Sequence, residues 1–189
     1  MNCKLKYLIL LVAISGGLVH CTKSQLSAKE YLSYCNSSEN GLIVNTETDS
    51  FKYSLQYRTP VYQALIESGI NYKKEQLGKL VEEYSGLEYY LLTIQSKSMQ
   101  SKAEPNLKYL SFDLQNAISL WATDTLNPVM FQFENSSGVS PLKKFSLAFE
   151  IPRDSIIDRQ LIIDHYLNDQ RVQLLIPGSA IQNLPNIRL

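Results

Sequence analysis

Histidine is scarce in this sequence: His20 and His165 are the two in 189 residues. No H-x-x-x-H spacing and no Cys/His cluster occurs, which excludes a structural zinc site of the usual kind. A surplus of charge is missing as well, because Lys plus Arg and Asp plus Glu are 18 each. A chain with no basic stripe interleaved with aromatics has no electrostatic footprint for nucleic acid. Glycine-rich phosphate loops are absent, and the pair Gly16-Gly17 falls inside an apolar N-terminal run. There is no G-x-S-x-G elbow, and "IPGSAI" carries one of its two glycines. No cofactor is implied.

The residues that remain as candidates for chemistry are few. In "LIIDHYL", His165 alternates with Asp164 along a strand, which places them on opposite faces and prevents one from orienting the other. Glu82, Glu83, Asp154, Asp158 and Asp164 qualify as paired carboxylates by abundance alone and read as solvated charges. Twelve tyrosines accompany a single tryptophan, Trp121. Exposed aromatics could form a platform for sugars or for a protein, although spacings such as Tyr53 and Tyr57 within one strand fit sheet packing better. Asp124-Thr125-Leu126 and Asp154-Ser155-Ile156 resemble the acceptor pattern of periplasmic O-glycosylation, although a three-residue pattern recurs by chance and surface turns are the better reading.

What the sequence does have is an export signal. Lys4 and Lys6 precede the thirteen apolar residues 7–19, "YLILLVAISGGLV". That run is short of the roughly 20 residues a spanning helix needs and fits a secretory h-region. Leu18-Val19-His20-Cys21 follows, and it resembles the lipobox of bacterial lipoprotein precursors, with leucine three residues before the cysteine. His20 departs from that family, which has a small residue there. The resemblance implies cleavage before Cys21, a diacylglycerol on its thiol and a third acyl chain, a palmitate for example, on its amino group. An uncleaved signal anchor and a secreted protein cut elsewhere are the alternatives.

Several acyl chains hold a protein firmly, since each buried CH₂ contributes roughly 0.8 kcal/mol. Thr22 is not the aspartate that retains many Gram-negative lipoproteins in the inner membrane, so the resemblance implies the outer membrane, with the domain facing the periplasm. Cys3 leaves with the signal and Cys21 is acylated, so Cys35 has no disulfide partner and reads as a small buried residue.

Local signals organise the rest. Ser27 and Glu30 form a capping-box pattern ahead of a short helix, and Asn40-Gly41 marks a turn. "LIVNTE" and "FKYSLQY" read as a hairpin, Pro60 opens a helix that Gly69 stops, and Leu77, Leu80, Val81 and Tyr84 share one face of a helix that Gly86 terminates. "LEYYLLTIQS", "VMFQF", "FSLAFEI", "QLIIDHYL" and "RVQLLI" read as strands, "NDQ" as a turn between the last two, and 97–106 as a polar loop. "LKYLSFDLQNAISLW" fits helix and strand equally.

Strands without regularly interposed helices predict an α+β fold: an antiparallel β-sheet or sandwich-like core with a few short helices, in one domain. The expected division is signal peptide 1–20, acylated tether 21–26 and globular domain 27–189. "SAKEYLSYCNSSENGL", "YSLQYRTPVYQAL" and "FDLQNAISLWATDTLNPVMFQF" look like segments of a group of uncharacterised Gram-negative envelope lipoproteins, a likeness that implies location and no chemistry. The expected protein is a membrane-anchored envelope lipoprotein acting as a non-enzymatic binding or assembly module. Its partners are the lipid bilayer through Cys21 and an envelope protein or glycan. A periplasmic hydrolase of envelope polymers and a sugar-binding module are the alternatives.

Overall fold

The computed structural model describes residues 25–69, 71–97, 107–134, 142–151, 157–164, 166 and 170–188. Two antiparallel sheets share one apolar core, as the α+β reading anticipates. The larger has the order β2-β3-β4-β8-β7, from Ile43–Glu47, Phe51–Arg58, Glu88–Ser96, Leu142–Phe149 and Met130–Glu134. The smaller has the order β10-β9-β5-β6, from Val172–Ile176, Arg159–Ile163, Ile118–Trp121 and Thr125–Leu126. A third pairing was not anticipated: β1 (Gln25–Leu26) runs parallel to β11 (Asn186–Ile187), so the last two residues of the expected tether are structured.

Alternation of side chains explains the layering. On β3, β4 and β8 the residues Leu55, Leu92 and Phe145 stand in one cross-strand row, and Tyr57, Tyr90 and Leu147 in another. Leu120, Leu161 and Leu174 make the facing row of the smaller sheet. These rows are buried in one apolar cluster that also takes in Tyr31 and Cys35 of helix α1 (Ala28–Cys35) and Leu65 of helix α2 (Pro60–Ser68). Tyr166 locks the two layers edge-on, its ring centroid 5.0 Å from Phe51 and 6.4 Å from Tyr53.

The local signals place the helices. At α1 the Ser27 hydroxyl accepts from Glu30 N–H while Glu30 accepts from Ser27 N–H at 2.8 Å, a complete capping box. Thr59 caps α2 just before Pro60, and Gly69 ends it with φ of 74°. Helix α3 (Lys74–Tyr84) buries Leu77, with Leu80, Val81 and Tyr84 half-buried. Its cap is Ser85, whose hydroxyl donates to Glu82 O, so Gly86 lies beyond the end. The ambiguous segment divides: Tyr109–Asp113 is a π-helical turn, Leu114–Ala117 is 3₁₀, and β5 follows directly.

Gln56 breaks the alternation of β3. It points away from Leu55 and Tyr57 yet is buried, because its amide donates to Cys35 O and Asn36 Oδ1 at the end of α1. Helix α4 (Gly178–Gln182) was not anticipated. Its first residue must be glycine, since a Cβ there would sit 2.6 Å from Ile157 O.

Candidate functional site

Cys21 lies outside the described residues, as do His165, Asp154 and most of the loop 97–106. Cys35 is fully buried, and burial pushes its thiol up to about 12, which keeps it neutral and unreactive. The described carboxylates are not brought together. Glu82 and Glu83 are exposed on α3, Asp158 accepts from Gly178 N–H at 2.9 Å, and Asp164 pairs with Arg171. Among the described residues no group of three His, Cys, Asp or Glu could hold a metal ion. Tyr31, Tyr53, Tyr57, Tyr62, Tyr90 and Tyr166 are all buried, so the tyrosines build the core.

Two features remain. The first is a polar knot between the sheets. Arg159 begins β9 on the inward face, with only 4% of its side chain exposed. Its Nε and Nη2 donate to Glu88 at 3.0 and 2.9 Å, and its Nη1 to Ile157 O at 2.7 Å. Tyr90 donates its hydroxyl to the same carboxylate at 2.7 Å.

Burial opposes the arginine charge, yet the hydrogen bonds and attraction of Glu88 outweigh it and hold the guanidinium above its ordinary pKa. Burial, and then the Glu88 charge, push the Tyr90 phenol well up. The knot lines a small cavity of about 170 Å³ with Tyr57, Pro60 and Ile151. Its charges satisfy one another, so it positions the sheets and offers no displaced proton for acid–base work.

The second feature is the solvent face of the smaller sheet. Because Ile118 and Leu120 point inward, Trp121 points out, and the residue is 46% exposed. The register sets Trp121 opposite Gln160 and Gln160 opposite Leu175, itself 48% exposed. The next row is Ser119, Ile162 and Gln173. Gln160 Nε2 donates to Gln173 Oε1 at 3.0 Å across the strands.

On the larger sheet the outward face is different in kind. Asn45, Glu47, Lys52, Ser54, Thr93 and Gln95 line a polar depression of about 400 Å³, with Glu47 paired to Lys97 at 3.3 Å. Thr125, the residue of the Asp-Thr-Leu pattern, is exposed at the start of β6, and Asp124 accepts its N–H at 2.7 Å.

Comparison with protein-family models, with characterised proteins and with solved structures finds no match to this chain. No helix among the described residues is long and apolar enough to cross a membrane. The Glu88–Arg159 knot carried no signal in the sequence, since the two residues are 71 positions apart and each looks like an ordinary surface charge. The Trp121–Gln160–Leu175 row did carry one: outward positions follow from the alternation of buried aliphatics, once the order of the strands is known.

Proposed function

We propose that this protein is an envelope lipoprotein, held by acyl chains on Cys21 at the periplasmic face of the outer membrane, whose domain binds a partner and catalyses no reaction. The observation that carries the choice of binding over catalysis is the Glu88–Arg159 knot. The charged groups that line the cavity beside Tyr57 and Ile151, Glu88 and Arg159, are spent on each other, not directed at a substrate. The outward apolar and amide side chains, Trp121 foremost, supply contact area of the sort a partner uses. The anchor rests on Leu18-Val19-His20-Cys21 after an apolar run too short to span a bilayer.

The test is the intact mass of the membrane-extracted protein beside a Cys21→Ala variant. The expected mass is that of residues 21–189 plus acyl chains. The variant is expected to lose both that mass increment and membrane retention. An unacylated soluble product from the unaltered sequence, or a product that keeps its signal, would reject the anchor.

A further inference from the structure

We propose that the solvent face of the β10-β9-β5-β6 sheet is a binding site for a neutral glycan, with the Trp121 indole as stacking platform and the Gln160–Gln173 amide pair as its hydrogen-bonding partner. The inference rests on the reading of the domain as a binding module and names the class of its ligand.

The chemistry of the face selects the ligand. Its outward positions within the strands are Ser119, Trp121, Thr125, Gln160, Ile162, Gln173 and Leu175, none of them charged, and the charges at the end of β9 and β10, Asp164 and Arg171, are paired with each other. The outward face of the larger sheet, by contrast, carries Glu47, Lys52 and Lys144. A row of neutral side chains whose neighbouring charges are already paired gives little electrostatic return for desolvating a phosphate, a uronate or a charged peptide. A pyranose ring matches it, because the ring offers a face of C–H groups to the electron-rich face of an indole and a rim of hydroxyls to neutral amides.

The amide pair is set for that rim. With Gln160 Nε2 donating to Gln173 Oε1, the pair leaves Gln160 Oε1 as an acceptor and Gln173 Nε2 as a donor. Turning both amides over exchanges these roles and still leaves one donor and one acceptor side by side. Adjacent sugar hydroxyls, each able to donate and accept, meet that demand. A purely apolar partner would bury the pair without satisfying it.

Geometry fits as well. Trp121 and Gln160 are directly opposed, which sets their Cβ atoms about 5 Å apart. Two strand spacings separate Trp121 from Leu175, so the row runs for about 10 Å and has room for more than one ring. A row this short, interrupted by amides, lacks the broad apolar centre of a stable protein interface.

Trp121 is the single tryptophan of the chain, so its fluorescence reports on this face alone. The experiment titrates the membrane-extracted protein, in a non-glycosidic detergent, with tetrasaccharides of β-1,4-linked N-acetylglucosamine and of α-1,4-linked glucose. A saturable change in emission with a dissociation constant of about 1 mM or tighter is expected for at least one of them. The double variant Gln160→Ala with Gln173→Ala is expected to weaken it about tenfold at unchanged melting temperature, and Trp121→Ala to abolish binding measured by calorimetry.

Unchanged emission with both sugars up to about 10 mM overturns the proposal, and so does calorimetric binding that Trp121→Ala leaves intact. A photo-crosslinker at Leu175 that captures protein and no glycan sinks the sugar assignment while leaving a binding module standing. Loss of acylation and membrane retention, with the titration unaffected, would remove the envelope reading and leave the glycan site.

Discussion

Arg159 and Glu88 join the two sheets through a two-pronged ion pair, with nitrogen–oxygen distances of 3.0 and 2.9 Å, at the edge of the apolar core. Removing one partner strands the other charge in a site that is 4% exposed on the arginine side and 17% on the glutamate side. Glu88→Met or Arg159→Met is therefore expected to cost about 3–5 kcal/mol, while Glu88→Met with Arg159→Met should recover much of that loss. Chemical denaturation of the three variants measures it through a double-mutant cycle. A double variant as unstable as the worse single one would show that the pair itself, and not the stranded charge, sets the cost.

Cys35 should be silent to thiol reagents until the chain unfolds. With its pKa near 12, the thiolate fraction at pH 8.5 is lower than that of a free cysteine by about a thousandfold. A chromogenic disulfide titrated against native protein and against protein in urea reads this directly, and equal rates in the two would contradict the burial.

The capping box predicts a pH dependence. Hydrogen bonds from Ser27 hold the Glu30 carboxyl below its ordinary pKa. A lowered folded pKa contributes stability that is present above the unfolded value and is lost as pH falls through the folded one. Ser27→Ala should thus cost about 1 kcal/mol at pH 7 and less at pH 3. Melting curves at the two pH values decide the matter, and a cost independent of pH would mean the carboxylate takes no part.

Alkali acts in the opposite sense. Burial raises the phenols of Tyr31, Tyr57, Tyr90 and Tyr166, the last three facing Glu88, Glu88 and Tyr109 charges respectively as a lesser cause. Raised folded values leave stability intact below the unfolded pKa of about 10 and erode it as pH climbs toward the folded ones. Each such tyrosine should remove about 1.4 kcal/mol per pH unit above pH 10. Phenolate absorbance is expected to rise together with loss of the native circular dichroism. Full ionisation while the fold persists would refute the buried assignment.

Features specified within a few residues were legible in the sequence. Ser27 with Glu30, Pro60 with Gly69, and the alternating Phe51-Tyr53-Leu55-Tyr57 each act on their own backbone, so spacing alone reveals them. The partition into two sheets was not legible, because nothing near Phe149 or Arg159 states which strand each will join. The segment 107–121 is ambiguous in the sequence for a related reason: its π and 3₁₀ turns share the apolar spacing of an α-helix, and Ile118 onward is extended beside Ile163 and Leu161. For the candidate site, Trp121 was visible as a singular residue, whereas its amide neighbours come from another hairpin.

The parallel pairing of Gln25–Leu26 with Asn186–Ile187, sealed by Arg188 N–H donating to Leu26 O at 2.7 Å, fixes how far the domain can wander. Only four peptide steps separate Cys21 from Gln25, and they reach at most about 14 Å. With Cys21 as the anchor the domain is a moored body, not a float on a long line. Under that proposed anchor, its search for a ligand is a two-dimensional one, confined to the thin layer of solvent next to the membrane that holds it.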